Sequence, residues 1–162
     1  MDRISKEHRS WNMSRIKGQN TQPEILVRSL LHKLGFRFRL HRRDLPGIPD
    51  IVLPKYHSVI FVHGCFWHRH YGCKYAYSPK TKIDFWEKKF AQNVSTHEKA
   101  VRKLGQMGWR IIVIWECELK NIDLVEDKLN LFLHENQIKE KHMNGTATKN
   151  FVAAIHLGPI SG

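Results

Sequence analysis

The chain is poor in cysteine, poor in acids and without a long apolar run. Its three cysteines, Cys65, Cys73 and Cys117, are an odd number among 162 residues, which argues against a disulfide framework. The thiols are left for metal binding or for ordinary burial. No apolar stretch approaches the roughly 20 residues that span a bilayer. The opening MDRISKEHRS lacks the apolar core of a signal peptide, so a cytoplasmic protein with no membrane partner is expected. Asp and Glu number 15 against 27 Lys and Arg, a formal net charge of +12. So basic a small domain fits a polyanionic partner, nucleic acid before a membrane surface, because no basic amphipathic helix with an apolar face is present. Charge kept only for solubility is the plainer alternative.

A hydrophobic content of 41% suits one folded domain, and no internal repeat is visible. Residues 1–20 read as a polar, basic arm or short helix, 21–135 as the core, and 136–162 as a tail with a possible short strand at FVAAIHL. TQPE, residues 21–24, opens a helix: Thr21 caps it, Pro23 suits the first turn and Glu24 stands where a capping-box acid belongs. Ile25, Leu26, Leu30, Leu31 and Leu34 follow at helical spacing to Gly35. Phe36 to Leu40 alternates apolar and basic, which predicts a half-exposed strand. LPGIPD is a turn, and strands are expected at Ile51 to Leu53, Val59 to Val62 and 109–115. Helices are expected from about Thr81 to Leu104, stopped near Gly105 and Gly108, and from Ile122 to His134. The order predicts an α/β domain, with a central mixed β-sheet flanked by helices.

Chemistry concentrates in VIFVHGCFWHRHYGC, residues 59–73. Cys65, His70 and Cys73 have the spacing C-x4-H-x2-C, and Cys117 follows 44 positions later, behind another strand. Three thiolates and an imidazole suit a closed, structural Zn2+ site. His68 could stand in for His70, and three buried cysteines beside a polar loop is the simpler alternative. Asp50, between a turn and a strand, can hold Mg2+ or cap its own turn. His63 and His68 are candidates for proton transfer or phosphate contact, unless the loop is merely solvated. Trp86, Lys89, Asn93 and His97 fall within one arc of the long helix. With Phe66 and Trp67, Trp86 forms either an aromatic wedge for a base step or part of the core.

HGCFWHRH, with LPGIPD before it and WECEL after it, resembles the very short patch repair (Vsr-type) endonucleases over most of residues 8–120, with one extra residue before Cys73. The resemblance implies a restriction-endonuclease-like fold of the PD-(D/E)xK class. It implies a monomeric, Mg2+-dependent enzyme that nicks one strand of duplex DNA 5′ of the thymine in a T:G mismatch left by 5-methylcytosine deamination. By the same resemblance Asp50 and the Val62 carbonyl would hold Mg2+, with Glu24 as a further acid. His63 and His68 would be catalytic, with His68 the general base. Cys65, His70, Cys73 and Cys117 would hold zinc. Phe66, Trp67 and Trp86 would enter the stack, Met13 the minor groove, and Lys89 and Asn93 would contact the mispaired bases. His97 stands where the family usually carries an aspartate beside the active-site histidine. A zinc-stabilised binder of distorted duplex that does not cut, and a nuclease of other specificity, are the alternative readings.

Overall fold

The computed structural model describes Ser5, Glu7, His8, Trp11 and residues 18–143. Helix α1 spans Gln22–Lys33 and opens with the expected capping box: Thr21 accepts the Glu24 N–H, and Glu24 accepts the Thr21 N–H. Strands β1 (Arg39–Leu40), β2 (Ile51–Leu53) and β3 (Ser58–His63) follow, then helix α2 (Ile83–Gln106). Strand β4 (Arg110–Trp115) and helix α3 (Ile122–Met143) complete the order. The sheet runs β1-β2-β3-β4. β2 is antiparallel to β1 and to β3, whereas β3 and β4 are parallel, joined by the α2 crossover. The expected class, α/β with a central mixed sheet between helices, is the class observed. No helix among the described residues is long and apolar enough to cross a membrane.

The two faces of the sheet bury different sets of side chains. Val27, Leu30 and Leu31 of α1 and Val125, Leu129 and Leu133 of α3 pack on Ile51, Leu53, Ile60 and Ile114. On the opposite face Val52, Val59 and Phe61 meet Leu104 of α2, with Leu45 from the preceding loop. Removing one such aliphatic side chain from water contributes about 1.5–3 kcal/mol. β3 lies between two strands and is almost wholly buried. It therefore reads as a near-continuous apolar run, and its alternation decides the site. Phe61 and His63 project toward α2, whereas Ile60 and Val62 belong with the α1 and α3 side.

Several boundaries differ from the expectation. The strand predicted over Phe36 to Leu40 is only Arg39–Leu40, because Phe36 instead closes α1: its N–H donates to the Leu31 carbonyl and its ring is buried in the core. α2 starts at Ile83, after Lys82 in a left-handed conformation, and not at Thr81. It passes through Gly105 and ends at Gln106. Gly108, at φ 79°, makes the turn that returns Trp109 to the Leu104 carbonyl. α3 continues past His134 to Met143, since ENQIKEKHM offers no helix breaker. The proposed strand at FVAAIHL lies outside the described residues.

Gly47 seats the LPGIPD turn against α2. Its φ is 74°, and a Cβ built there would lie 2.5 Å from the Ala100 Cβ and 3.5 Å from the Phe61 ring. Gly47→Ala is expected to destabilise the fold by roughly 2–4 kcal/mol, combining left-handed strain with overpacking. Adding Ala100→Gly should recover only the overpacking part. Thermal melts of both proteins check this, and a single variant that melts like the parent would mean that the turn does not pack as described.

Candidate active site

The antiparallel register sets the N-terminal end of β2 beside the C-terminal end of β3. Asp50, immediately before β2, accepts the Val62 N–H on Oδ2 at 2.7 Å. This is the bond the structure gives at Val62; the resemblance had implied a role for its carbonyl. Burial, seconded by the charge of Glu24, raises the Asp50 pKa to about 6, against the opposing pull of the Val62 N–H and Arg28. Such an acid is poised to exchange its proton for a cation. Glu24, His41 and Asp50 lie together, their ligand atoms all within 4.8 Å of one another. The carboxylate oxygens suit a hard cation such as Mg2+, with Asp50 as the acid not already paired. Sequence reasoning missed His41. It lies in HRRD, a basic run whose only signal was charge, and its φ of 44° turns it back toward α1.

His63, His68 and His97 form a second cluster. The rings of His63 and His68 stack at 3.7 Å, and His97 meets His63 edge-on at 4.2 Å. His97 is farther from His68, at 6.1 Å. His97 thus stands next to His63, one ring removed from His68. The arrangement follows from β3, which aims His63 at α2, and from the loop that leaves β3. There the His68 N–H donates to the Gly64 carbonyl and folds the chain back over His63. Burial lowers the pKa of all three, to about 2 for His63 and about 4 for His97, and each of these two is lowered further by a neighbouring imidazole. The rings are neutral at pH 7. His68 Nδ1 is buried without a hydrogen-bond partner among the described residues.

The same loop gathers the sulfur ligands. Cys65, His70, Cys73 and Cys117 place one ligand atom each within 4.8 Å of the others. His70 Nδ1 is 3.5 Å from the Cys65 sulfur and 3.3 Å from that of Cys117. A tetrahedral zinc with bonds of about 2.1–2.3 Å spaces its ligands by roughly 3.5–3.8 Å, so the cluster is compatible with zinc. The choice between histidines is made: His70 joins the thiols, and His68 faces His63. Burial pushes the Cys65 thiol up to about 12 and raises Cys117, while hydrogen bonding, led by the Tyr75 backbone, lowers Cys73. Thiols so reluctant to ionise become thiolates only beside a cation. Trp115, the last residue of β4, stacks on His70 at 4.1 Å and orients the ring.

Phe66 and Trp67 lie in the loop between Cys65 and His68. The Phe66 ring lies 5.1 Å from Trp67, 5.4 Å from Trp86 and 5.1 Å from Phe90, with Trp67 and Trp86 5.8 Å apart. Phe66, Trp67 and Trp86 are half-buried, and only Phe90 is fully covered. They are therefore not core side chains, and they form a supported surface patch. Asn93 donates its amide to the Trp67 carbonyl at 3.1 Å and so props the loop. Lys89 is exposed. Met13 lies outside the described residues. Phe85 and Tyr77 extend the patch and were not anticipated, because isolated aromatics carry no periodic signal.

The family model for DNA mismatch endonuclease Vsr matches residues 1–74. A type II nicking enzyme, V.XorIIP of Xanthomonas oryzae pv. oryzae, is 47% identical over 132 residues, covering 82% of this chain and 96% of the relative. The DNA mismatch endonuclease Vsr of Escherichia coli K12 is 39% identical over 123 residues, covering 76% and 78%. Among solved structures, the catalytic domain of the homing endonuclease I-Bth0305I covers 70% of this chain and 94% of its own, at 22% identity and a TM-score of 0.41.

Cys117 brings β4 to the loop that leaves β3. Cys117→Ser is expected to lose most of the bound zinc and to melt several degrees lower. Metal analysis and thermal melting check this, and purified parent protein without zinc would refute the site.

His97 sets a pH dependence of stability. Its folded pKa, about 4, is below the unfolded value near 6.5, so the unfolded chain binds the proton more readily. Stability is therefore whole above pH 6.5 and is lost as pH falls toward 4, by up to about 1.4 kcal/mol per pH unit from this one group. His97→Gln should flatten the slope of unfolding free energy against pH in that window. Denaturant titrations at pH 4.5, 5.5 and 6.5 measure it, and parallel slopes would mean that His97 does not titrate there.

Proposed function

This chain belongs to the Vsr family of DNA mismatch endonucleases, and from that premise we propose that it nicks one strand of duplex DNA 5′ of the thymine in a T:G mismatch, using Mg2+. Its activity is DNA endonuclease activity in mismatch repair; the choice of mismatch, the metal and the nicked position are the proposed parts. The observation that carries the proposal is the path of a single short loop. Leaving β3 directly after His63, it supplies His68 to the histidine cluster, Phe66 and Trp67 to the aromatic patch, and Cys65, His70 and Cys73 to the sulfur cluster.

A mismatched step is softer than a paired one, and unstacking it costs a few kcal/mol. Phe66, Trp67 and Trp86 offer the faces for that insertion. A Zn2+ ion on Cys65, His70, Cys73 and Cys117 would clamp the loop against β4, so the wedge would resist being pushed back. The net charge of +12 supplies affinity for phosphate without sequence preference. Exposed Lys89 would reach the bases, and Asn93, bonded to the Trp67 carbonyl, would hold Trp67 as they are displaced.

At the phosphate, Asp50 would hold Mg2+, which supplies positive charge to phosphoryl oxygens and acidifies water. The His68 imidazole would accept the proton of the attacking water. In the free protein burial makes His68 a weak base. A phosphodiester placed beside it adds negative charge, favours the imidazolium and so raises its proton affinity when the substrate is in place. His63, stacked on His68, fixes the ring plane, and His97 fixes His63 from the α2 side. With a neutral imidazole in place of a carboxylate at position 97, the imidazolium is left to the phosphate for compensation, and a slow nuclease is expected. The enzyme is proposed to act as a cytoplasmic monomer.

Incubation with a panel of mismatched duplexes and mapping of the nicked strand tests the reading. T:G duplexes should be cut 5′ of the thymine only when Mg2+ is added. Asp50→Ala should lower the rate by orders of magnitude while mismatch binding by gel shift persists. A mutant that cuts normally would show that the active centre lies elsewhere.

A further inference from the structure

Arg28 has no part in the mechanism above, yet its guanidinium lies inside the acid cluster. It stands one turn after Glu24 on α1, and both side chains are largely covered. Nη2 donates to Glu24 Oε2 at 2.7 Å and lies 3.0 Å from His41 Nε2, and Nη1 donates to Asn20 Oδ1 at 2.7 Å. A guanidinium only donates, so His41 Nε2 is an acceptor and the lone pair a cation would use is taken. Glu24 is equally committed. Oε1 accepts the Thr21 hydroxyl and N–H, and Oε2 accepts the Asn20 N–H and Arg28. Four directed donors fill the lone-pair sites of a carboxylate. Asp50 takes one directed bond, from Val62, and keeps lone pairs for a cation.

We infer that Arg28 is a built-in cation that holds Glu24 and His41 in place and leaves Asp50 as the side chain of this cluster that is open to a divalent cation. The inference rests on Asp50 as the cation ligand. Charge supports it. Two carboxylates and one guanidinium leave a single net negative charge. One divalent ion turns that into a single positive charge, which matches one phosphodiester. A cation on Glu24 or His41 would need lone pairs that are already taken and would face the guanidinium directly. Arg28 is in this sense a positioning residue: it touches the ligands and not the DNA.

The test is a titration of zinc-loaded protein with Mn2+, without DNA, following free Mn2+ by electron paramagnetic resonance. The parent should bind Mn2+ at the acid cluster through Asp50. Arg28→Gln removes the charge and releases Glu24 and His41, so Mn2+ should bind at least about tenfold more tightly, which corresponds to about 1.4 kcal/mol. Arg28→Lys keeps the charge and should stay within about threefold of the parent. Asn20→Gly suits the left-handed backbone at that position, at φ 55°, and frees only Nη1; it should tighten binding by about threefold. Arg28→Gln that folds and binds Mn2+ no more tightly than the parent overturns the inference. If thermal melting shows Arg28→Gln unfolded, Asn20→Gly decides in the same way. Nicking of a T:G duplex measured in parallel keeps the two readings apart. A parent that binds Mn2+ but does not nick removes the proposed function, whereas unchanged Mn2+ affinity in the variants removes only the role of Arg28.

Discussion

Strand β3 is hydrogen-bonded to a neighbour on each side and packed on both faces, and the site depends on that confinement. A strand held so completely cannot slip by one residue without turning Phe61 and His63 out of the α2 side and Ile60 out of the opposite core. Its register with β2 sets the Asp50 carboxylate on the Val62 N–H. Its register with β4 pairs His63 with Trp115, so the strand ends bring the loop after β3 and Cys117 to the same end of the sheet. Two clusters with different chemistry, one of hard oxygens and one of sulfur, are thus placed by one apolar ladder.

Burial imposes opposite consequences on the groups at this end. It raises Asp50 toward neutrality and lowers the three histidines toward neutrality, so the free site stores little charge of its own at the β3 terminus. The exception is the Glu24–Arg28 pair, whose charges are matched at 2.7 Å and surrounded by further donors. A buried pair of this kind adds little to stability relative to apolar packing, but losing one partner is costly. It is better understood as a device that fixes geometry. The capping box of α1 belongs to the same network, because Glu24 caps the helix with one oxygen and holds Arg28 with the other.

The aromatic patch is carried by the loop between the sulfur ligands and His68 and belongs to neither cluster. Phe66 and Trp67 occupy loop positions between Cys65 and His68, and α2 supplies Trp86 and Phe90 as their support. Arg69, over the Phe90 ring at 4.6 Å and bonded to the Tyr77 carbonyl and the Ser78 hydroxyl, closes the rear of the patch. Inserting such a wedge into a base step is a mechanical demand, and two attachments on either side of it meet that demand.

Much of this was legible in the residues themselves. Thr21 and Glu24 announce a capped helix because the capping box is a local bond pattern, complete within four residues. Val59 to Val62 announces a central strand because only burial on both faces tolerates an unbroken apolar run. The thiols and the histidines of their loop announce a candidate metal cluster, though not which histidine joins it, because three thiolates and an imidazole suit zinc. What depends on approach in space was not legible. Phe36 leaves its alternating pattern to close α1, since tertiary burial outweighs β-propensity. His70, not His68, joins the sulfurs, because β3 and its loop turn His68 back onto His63. His41 and Arg28 meet Glu24 and Asp50 from separate segments, and no periodicity within a chain encodes such a meeting. Sequence determined which chemistries this protein contains, since composition and local pattern specify donors. Only the tertiary structure decided which donors share a site, since that follows from sheet register and from the burial that fixes each side chain's direction.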